Sequence, residues 1–110
     1  MILSTDIWVS ALIRRAEMSG AFAVVARKGD ARAGAVLVRT FNPRTGETHL
    51  YSEAFHGEGE RVWMQPSASH EEGELERYVE RAVKVDPDLW VVEIEDLEGR
   101  HFLTEPVAKT

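Results

Sequence analysis

The 110-residue chain is 44 % hydrophobic and 29 % charged, proportions of an ordinary folded domain rather than of a disordered, collagenous or membrane-spanning chain. It has no cysteine, which removes disulfides, thiolate metal sites, cysteine nucleophiles and thiol redox switches by inventory and suits a reducing compartment. The net charge of −6 is carried by the second half, where residues 56–110 hold fourteen Asp/Glu against six Lys/Arg, while residues 1–55 hold five against seven. Such a balance repels phosphate backbones, so generic nucleic-acid binding is disfavoured.

Ser4 or Thr5 can cap a first helix with Asp6 in its opening turn, and Trp8, Val9, Leu12, Ile13 and Ala16 recur at helical spacing. Arg14 and Arg15 complement the C-terminal end of its dipole, and Gly20 suits the left-handed position just beyond. From Ala21 the pattern turns to β-rich runs, AFAVVAR, AVLVRTF and ETHLYSE, separated by KGDARAG and NPRTG. These predict three consecutive antiparallel strands, the last two joined by a type I turn over Asn42 to Gly46. After HGEGE, the run RVWMQ predicts a fourth strand stopped by Pro66.

Ser69-His70-Glu71-Glu72 has the form of a capping box, opening a second helix whose apolar face is Leu75, Tyr78, Val79 and Ala82 and which Asp86-Pro87-Asp88 ends. LWVVEIED then reads as a strand with Trp90, Val92 and Ile94 on one face and Leu89, Val91, Glu93 and Glu95 on the other. Leu97-Glu98-Gly99-Arg100 offers a tight turn that would return His101-Phe102-Leu103 as a last short strand. The expected fold is therefore α+β: an antiparallel meander of three or four strands flanked by two amphipathic helices, plus a C-terminal β-hairpin. The element order argues against a parallel βαβ sheet. One domain over 1–110 is expected, with a tail that frays from about residue 105.

The strings WVSALIRR, GAFAVVARKGDARAGAVLV and DPDLWVVEIEDLEGRHFL, read together, resemble a small alphaproteobacterial family of uncharacterised proteins known only as a domain of unknown function. The resemblance covers nearly the whole chain. It implies no activity, cofactor or substrate for any position.

Each candidate chemistry has a plainer explanation in the residues. His70 and Glu74 lie one helical turn apart but lack the second histidine of a zinc HExxH motif, and acids in a first helical turn are stabilising in themselves. His56-Gly57-Glu58-Gly59-Glu60 has too few oxygen donors for a calcium loop. Pro87-Asp88 followed by Glu93-Ile94-Glu95 departs from a metal nuclease in its short gap and in Glu95 standing where a lysine is needed. There is no GxSxG elbow, and no GxGxxG or GxxxxGK[ST] phosphate loop. No metal, cofactor or catalytic residue is implied.

The apolar N-terminus has the order of a secretory signal reversed, with its arginines after the apolar run, and no stretch reaches the roughly 18 apolar residues of a membrane span. A cytoplasmic location without a membrane partner is expected. The remaining signal is aromatic and cationic: Tyr51 and Trp63, flanked by Arg39 and Arg61, would form an amphipathic patch if their strands were neighbours with these side chains outside the core. The bland alternative has Trp63 closing the core and Tyr51 at its edge. The favoured function is a protein-interaction or structural module without catalytic activity, whose partner is another protein or a second copy of the chain. Its rivals are an enzyme site assembled from dispersed His and Glu residues, and a weak nucleic-acid module stacking bases on strand aromatics.

Overall fold

The structure is a computed structural model and describes residues 3–56, 60–67 and 71–108, with the backbone alone at 55, 56 and 60. Helix α1 (Thr5–Met18) is followed by strands β1 (Phe22–Arg27), β2 (Val36–Phe41), β3 (Thr48–His56) and β4 (Glu60–Met64), helix α2 (Glu72–Val85) and strand β5 (Trp90–Glu95). The five strands form one sheet in the order β1-β5-β2-β3-β4. β2, β3 and β4 make the expected antiparallel meander.

Two features of the arrangement differ from the sequence expectation, and one cause explains both. β5 lies between β1 and β2, antiparallel to the first and parallel to the second, so β1 and β2 are not neighbours and the sheet contains a parallel pair. With β1 on one side and β2 on the other, β5 has no free edge for a hairpin partner, and residues 101–103 form no strand. The turn itself exists, with Gly99 at φ 70° and its amide donating to Asp96 O. The chain then bends at Phe102, a non-glycine residue at φ 63°. Its carbonyl accepts two hydrogen bonds from the Arg15 guanidinium, at 3.2 and 3.1 Å, and the Arg100 guanidinium covers its ring.

The central position of β5 matches its composition. Trp90, Val92 and Ile94 join Trp8, Val9, Leu12 and Ala16 of α1 in the core on one face of the sheet. Leu89 and Val91 join Leu75 and Val79 of α2, with Leu37 and Leu50, on the other. A strand buried on both faces must be apolar on both, and each such side chain contributes roughly 1.5–3 kcal/mol on leaving water. The layers are thus helix, sheet, helix.

Loop 28–35 fixes α1 to β5. Its carbonyls at Arg32 and Ala31 accept from the otherwise orphan amides of Thr5 and Asp6, at 3.1 and 2.9 Å, and Asp30 O accepts from the Trp90 indole at 2.7 Å. Gly29 and Gly34 sit against the backbone at Asp88; a Cβ at either would come within 2.1 or 2.4 Å of Asp88 O. Both glycines belong to the KGDARAG segment between the first two strands and serve this close approach. Residues 105–108, expected to fray, are held: Trp63 N donates to Pro106 O and Ala108 N donates to Trp63 O. α2 begins at Glu72, and the Ser69 capping contact lies outside the described residues.

Gly34→Ala is expected to destabilise the fold by about 2 kcal/mol or more, because backbone rather than a flexible side chain must yield. Gly73→Ala in the first turn of α2, where the nearest atom outside the helix backbone is 3.6 Å from the new Cβ, is expected to stabilise by about 0.5 kcal/mol. Urea unfolding of the two variants checks both signs.

Candidate functional site

Strand register decides where the four candidate residues lie. Tyr51 stands opposite Val38 and Arg39 opposite Leu50, so Tyr51 faces α1 while Arg39 faces α2. Trp63, opposite Glu53, shares the α1 face. Trp63 is 0 % exposed and Tyr51 7 %, and both belong to the core. The structure therefore brings Tyr51, Trp63 and Arg61 to one face, with the two rings in the core and Arg61 half-buried, and sets Arg39 on the other; the four do not form a patch.

Trp63 is held in a polar network that joins both ends of the chain. It stacks on Trp8 at 5.3 Å, and the two indole N–H groups donate to opposite oxygens of Glu105 at 3.1 and 3.0 Å. The Arg61 guanidinium lies over the Trp8 ring at 5.2 Å and donates to Glu53 at 2.7 Å, which also accepts from the Val36 amide. The two carboxylates respond oppositely. Burial raises the Glu53 carboxyl above the ordinary carboxylate range, against the Arg61 charge and the Val36 amide. Burial pushes Glu105 up as well, but the two indole donors, its backbone amide and Arg61 together hold it below that range.

Among the described residues the histidines do not converge on a carboxylate in a pocket. His101 packs edge-on against Tyr51 at 5.0 Å, accepts from the Leu103 amide through Nδ1, and is lowered in pKa by burial. His49 meets Gln65 Oε1 at 3.1 Å and Glu47 at 3.3 Å near the surface. His70, with its proposed pairing to Glu74, and the 56–60 loop lie outside the described side chains. Among the described residues no group of three or more His, Asp or Glu is placed to hold a metal ion.

Several apolar groups are open to solvent, Ile7, Met18, Met64 and Val85 among them, and three more share one strand. β1 ends the sheet, and on it Phe22 is 64 %, Val24 36 % and Val25 39 % exposed. Register places Phe22, Glu95 and Phe41 in one row across β1, β5 and β2, and Val24, Glu93 and Arg39 in the next, all on the α2 face. α2 covers the other half of that face, over Leu37, Leu50 and Val91, and leaves these rows as the floor of a cleft of about 290 Å³ bordered by Glu72. Arg39 reaches Glu72 at 3.3 Å and Glu93 at 3.8 Å and hydrogen-bonds Glu76. A second, wider groove of about 530 Å³ beside the C-terminal half of α2, floored by Leu37, Ala82 and Leu89, is the seam where the helix meets the sheet.

Phe22 and Val24 escaped sequence reasoning because FAVVAR is apolar on both faces and reads as an interior strand; only its place at the end of the sheet exposes it. A signal was present in β5, whose α2-side face runs Leu89, Val91, Glu93, Glu95 and so passes from covered to uncovered along the strand.

This architecture, a mixed five-stranded sheet between two helices, is shared with solved structures. The chain matches the family model "Protein of unknown function (DUF1491)" over residues 3–104 and belongs to that family. It is similar to a DUF1491 family protein from Caulobacter crescentus CB15, at 67 % identity; the crystal structure superposes with a TM-score of 0.95, covering 97 % of this chain and 100 % of that one. The NMR structure of a DUF1491 family protein from the same organism gives 67 % identity and 0.93, with 99 % of each chain covered. The solution structure of protein Atu0922 from A. tumefaciens is 37 % identical, with a TM-score of 0.82 over 100 % of this chain and 99 % of that one. No curated protein matches the chain significantly.

Two measurements check the buried network. Tryptophan emission of the native protein is expected to resist iodide quenching, since Trp8, Trp63 and Trp90 are all buried. In stability against pH, Glu105→Gln is expected to remove a loss seen as pH falls from the ordinary carboxylate range through the lowered value of Glu105. Glu53→Gln is expected to remove the opposite slope, a gain as pH falls from the raised value of Glu53 toward that range.

Proposed function

We propose that the protein is a non-catalytic interaction module of the cytoplasm whose contact surface is the β1 edge together with the uncovered half of the α2-side sheet face. The observation that carries this reading is the exposure of Phe22, Val24 and Val25 on a strand that ends the sheet. An uncharged edge strand is a template for another chain, and proteins ordinarily blunt such edges with charges or proline. β1 has neither before Arg27; its one irregularity is the register shift between Val25 and Arg27. Burying Phe22 and Val24 in a contact contributes roughly 2 kcal/mol each, the scale of interface anchors.

The competing functions draw less support. A stacking platform for bases needs exposed aromatics in a basic frame; Tyr51 and Trp63 are in the core, and the exposed Phe22 stands beside the carboxylates of Glu93 and Glu95. An assembled His–Glu enzyme site needs a cavity that joins them, and neither the cleft nor the groove is lined by histidine. No described helix is long and apolar enough to cross a membrane.

A photo-cross-linking residue placed at position 22 in native cells is expected to capture a partner, whereas one at Ser10, exposed on α1, is not. Phe22→Ser with Val24→Ser should abolish capture from a third position, Phe41, while leaving the melting temperature within a few degrees, since little packing is lost. Capture from position 10 alone, or capture unaffected by the double substitution, contradicts the reading.

A further inference from the structure

The cleft beside β1 is acidic as well as apolar, and this fixes the kind of partner the edge can take. Three carboxylates, Glu72, Glu93 and Glu95, line it, against the single guanidinium of Arg39. That guanidinium is already engaged by Glu72, Glu76 and Glu93. Glu95, exposed in the Phe22 row, makes no ion pair among the described residues.

We propose that the occupant is an extended segment of another protein, apolar and basic, that adds as a strand to β1 and lays lysine or arginine side chains across Phe22 and Val24 into the Glu93–Glu95 cleft. This rests on the interaction reading above and names its partner class. Neighbouring strands lie about 4.8 Å apart, so an incoming strand runs two spacings, about 10 Å, from the β5 backbone. A long cationic side chain and a glutamate side chain together close that gap. The stem of the cation meanwhile covers the Phe22 ring and the Val24 methyls, as such stems do on apolar surface. Alternation along the added strand would set its basic residues on the α2 face and its apolar residues toward Val25 on the other.

A second copy of the chain fits less well. Pairing β1 with β1 brings two clefts side by side, each lined by three carboxylates and a single guanidinium that is already engaged. The whole chain is likewise acidic, at −6.

The test uses two synthetic ten-residue peptides of alternating pattern, identical except that one carries lysine and the other glutamate at every charged position, titrated into the full-length, isotopically labelled protein. The lysine peptide is expected to shift the amide resonances of β1 and of Glu93 and Glu95, with binding weakened severalfold between low and physiological salt. Glu93→Gln with Glu95→Gln should weaken it about threefold or more with resonance dispersion unchanged, and the glutamate peptide should not bind. Equal binding of both peptides at β1 overturns the charge requirement and leaves the edge reading standing. No binding of either, with sedimentation as a dimer that Phe22→Ser dissociates, overturns it in favour of a second copy at the same edge. Shifts confined to residues away from β1, or no binding by a protein that stays monomeric, overturn both.

Discussion

Trp90 to Glu95 enters the sheet between two strands laid down more than fifty residues earlier, and the rest of the molecule is arranged around that insertion. β5, like β2 beside it, is hydrogen-bonded on both edges and buried on both faces. A strand so placed needs a helix above and a helix below, which accounts for α1 and α2 lying on opposite faces. It also needs its start fixed, which loop 28–35 does by packing two glycines on Asp88 and accepting the Trp90 indole proton.

The same insertion leaves the molecule with its open surface. Because β5 takes the place beside β2, β1 is displaced to the end of the sheet, where α1 covers only one of its faces. α2 spans the sheet over β2, β3 and the start of β5 and does not reach β1. Phe22 and Val24, which a neighbouring strand and a covering helix would normally bury, stand beside the carboxylates of the uncovered end of β5. The opposite edge is finished differently, by the pairing of Val107 with Trp63 and by Glu105 bridging the indoles of Trp8 and Trp63. One edge of the sheet is thus covered by the chain's own tail, while the other has no strand paired beyond it among the described residues.

The α+β class, both helices and the Asn42–Gly46 turn were legible in the sequence because each is set by residues close together in the chain. Gly46 and Gly20 do adopt left-handed conformations, at φ 78° and 89°. Sheet order was not legible, since β5 pairs with strands about 70 and 54 residues away and several orders satisfy the same alternation. The missing C-terminal strand and the exposed β1 follow from that order. The fate of Trp63 depended on contacts from Trp8 and Glu105, near the two chain ends, which no local pattern announces. Arg39, singled out as a binding residue beside Tyr51, borders the open cleft from the opposite face of the sheet.

Docking of a partner at the β1 edge, as proposed above, has a signature that can be read residue by residue. Nuclear magnetic resonance of the isotopically labelled protein in an extract of its native cells addresses it most directly, because it reports every residue at once without presupposing the partner. Resonances of Phe22 to Arg27, with Phe41, Glu93 and Glu95, are expected to broaden or shift relative to the purified protein. Unchanged β1 resonances, with the perturbation gathered instead on the α2 groove around Leu37, Tyr78 and Ala82, would contradict docking at that edge.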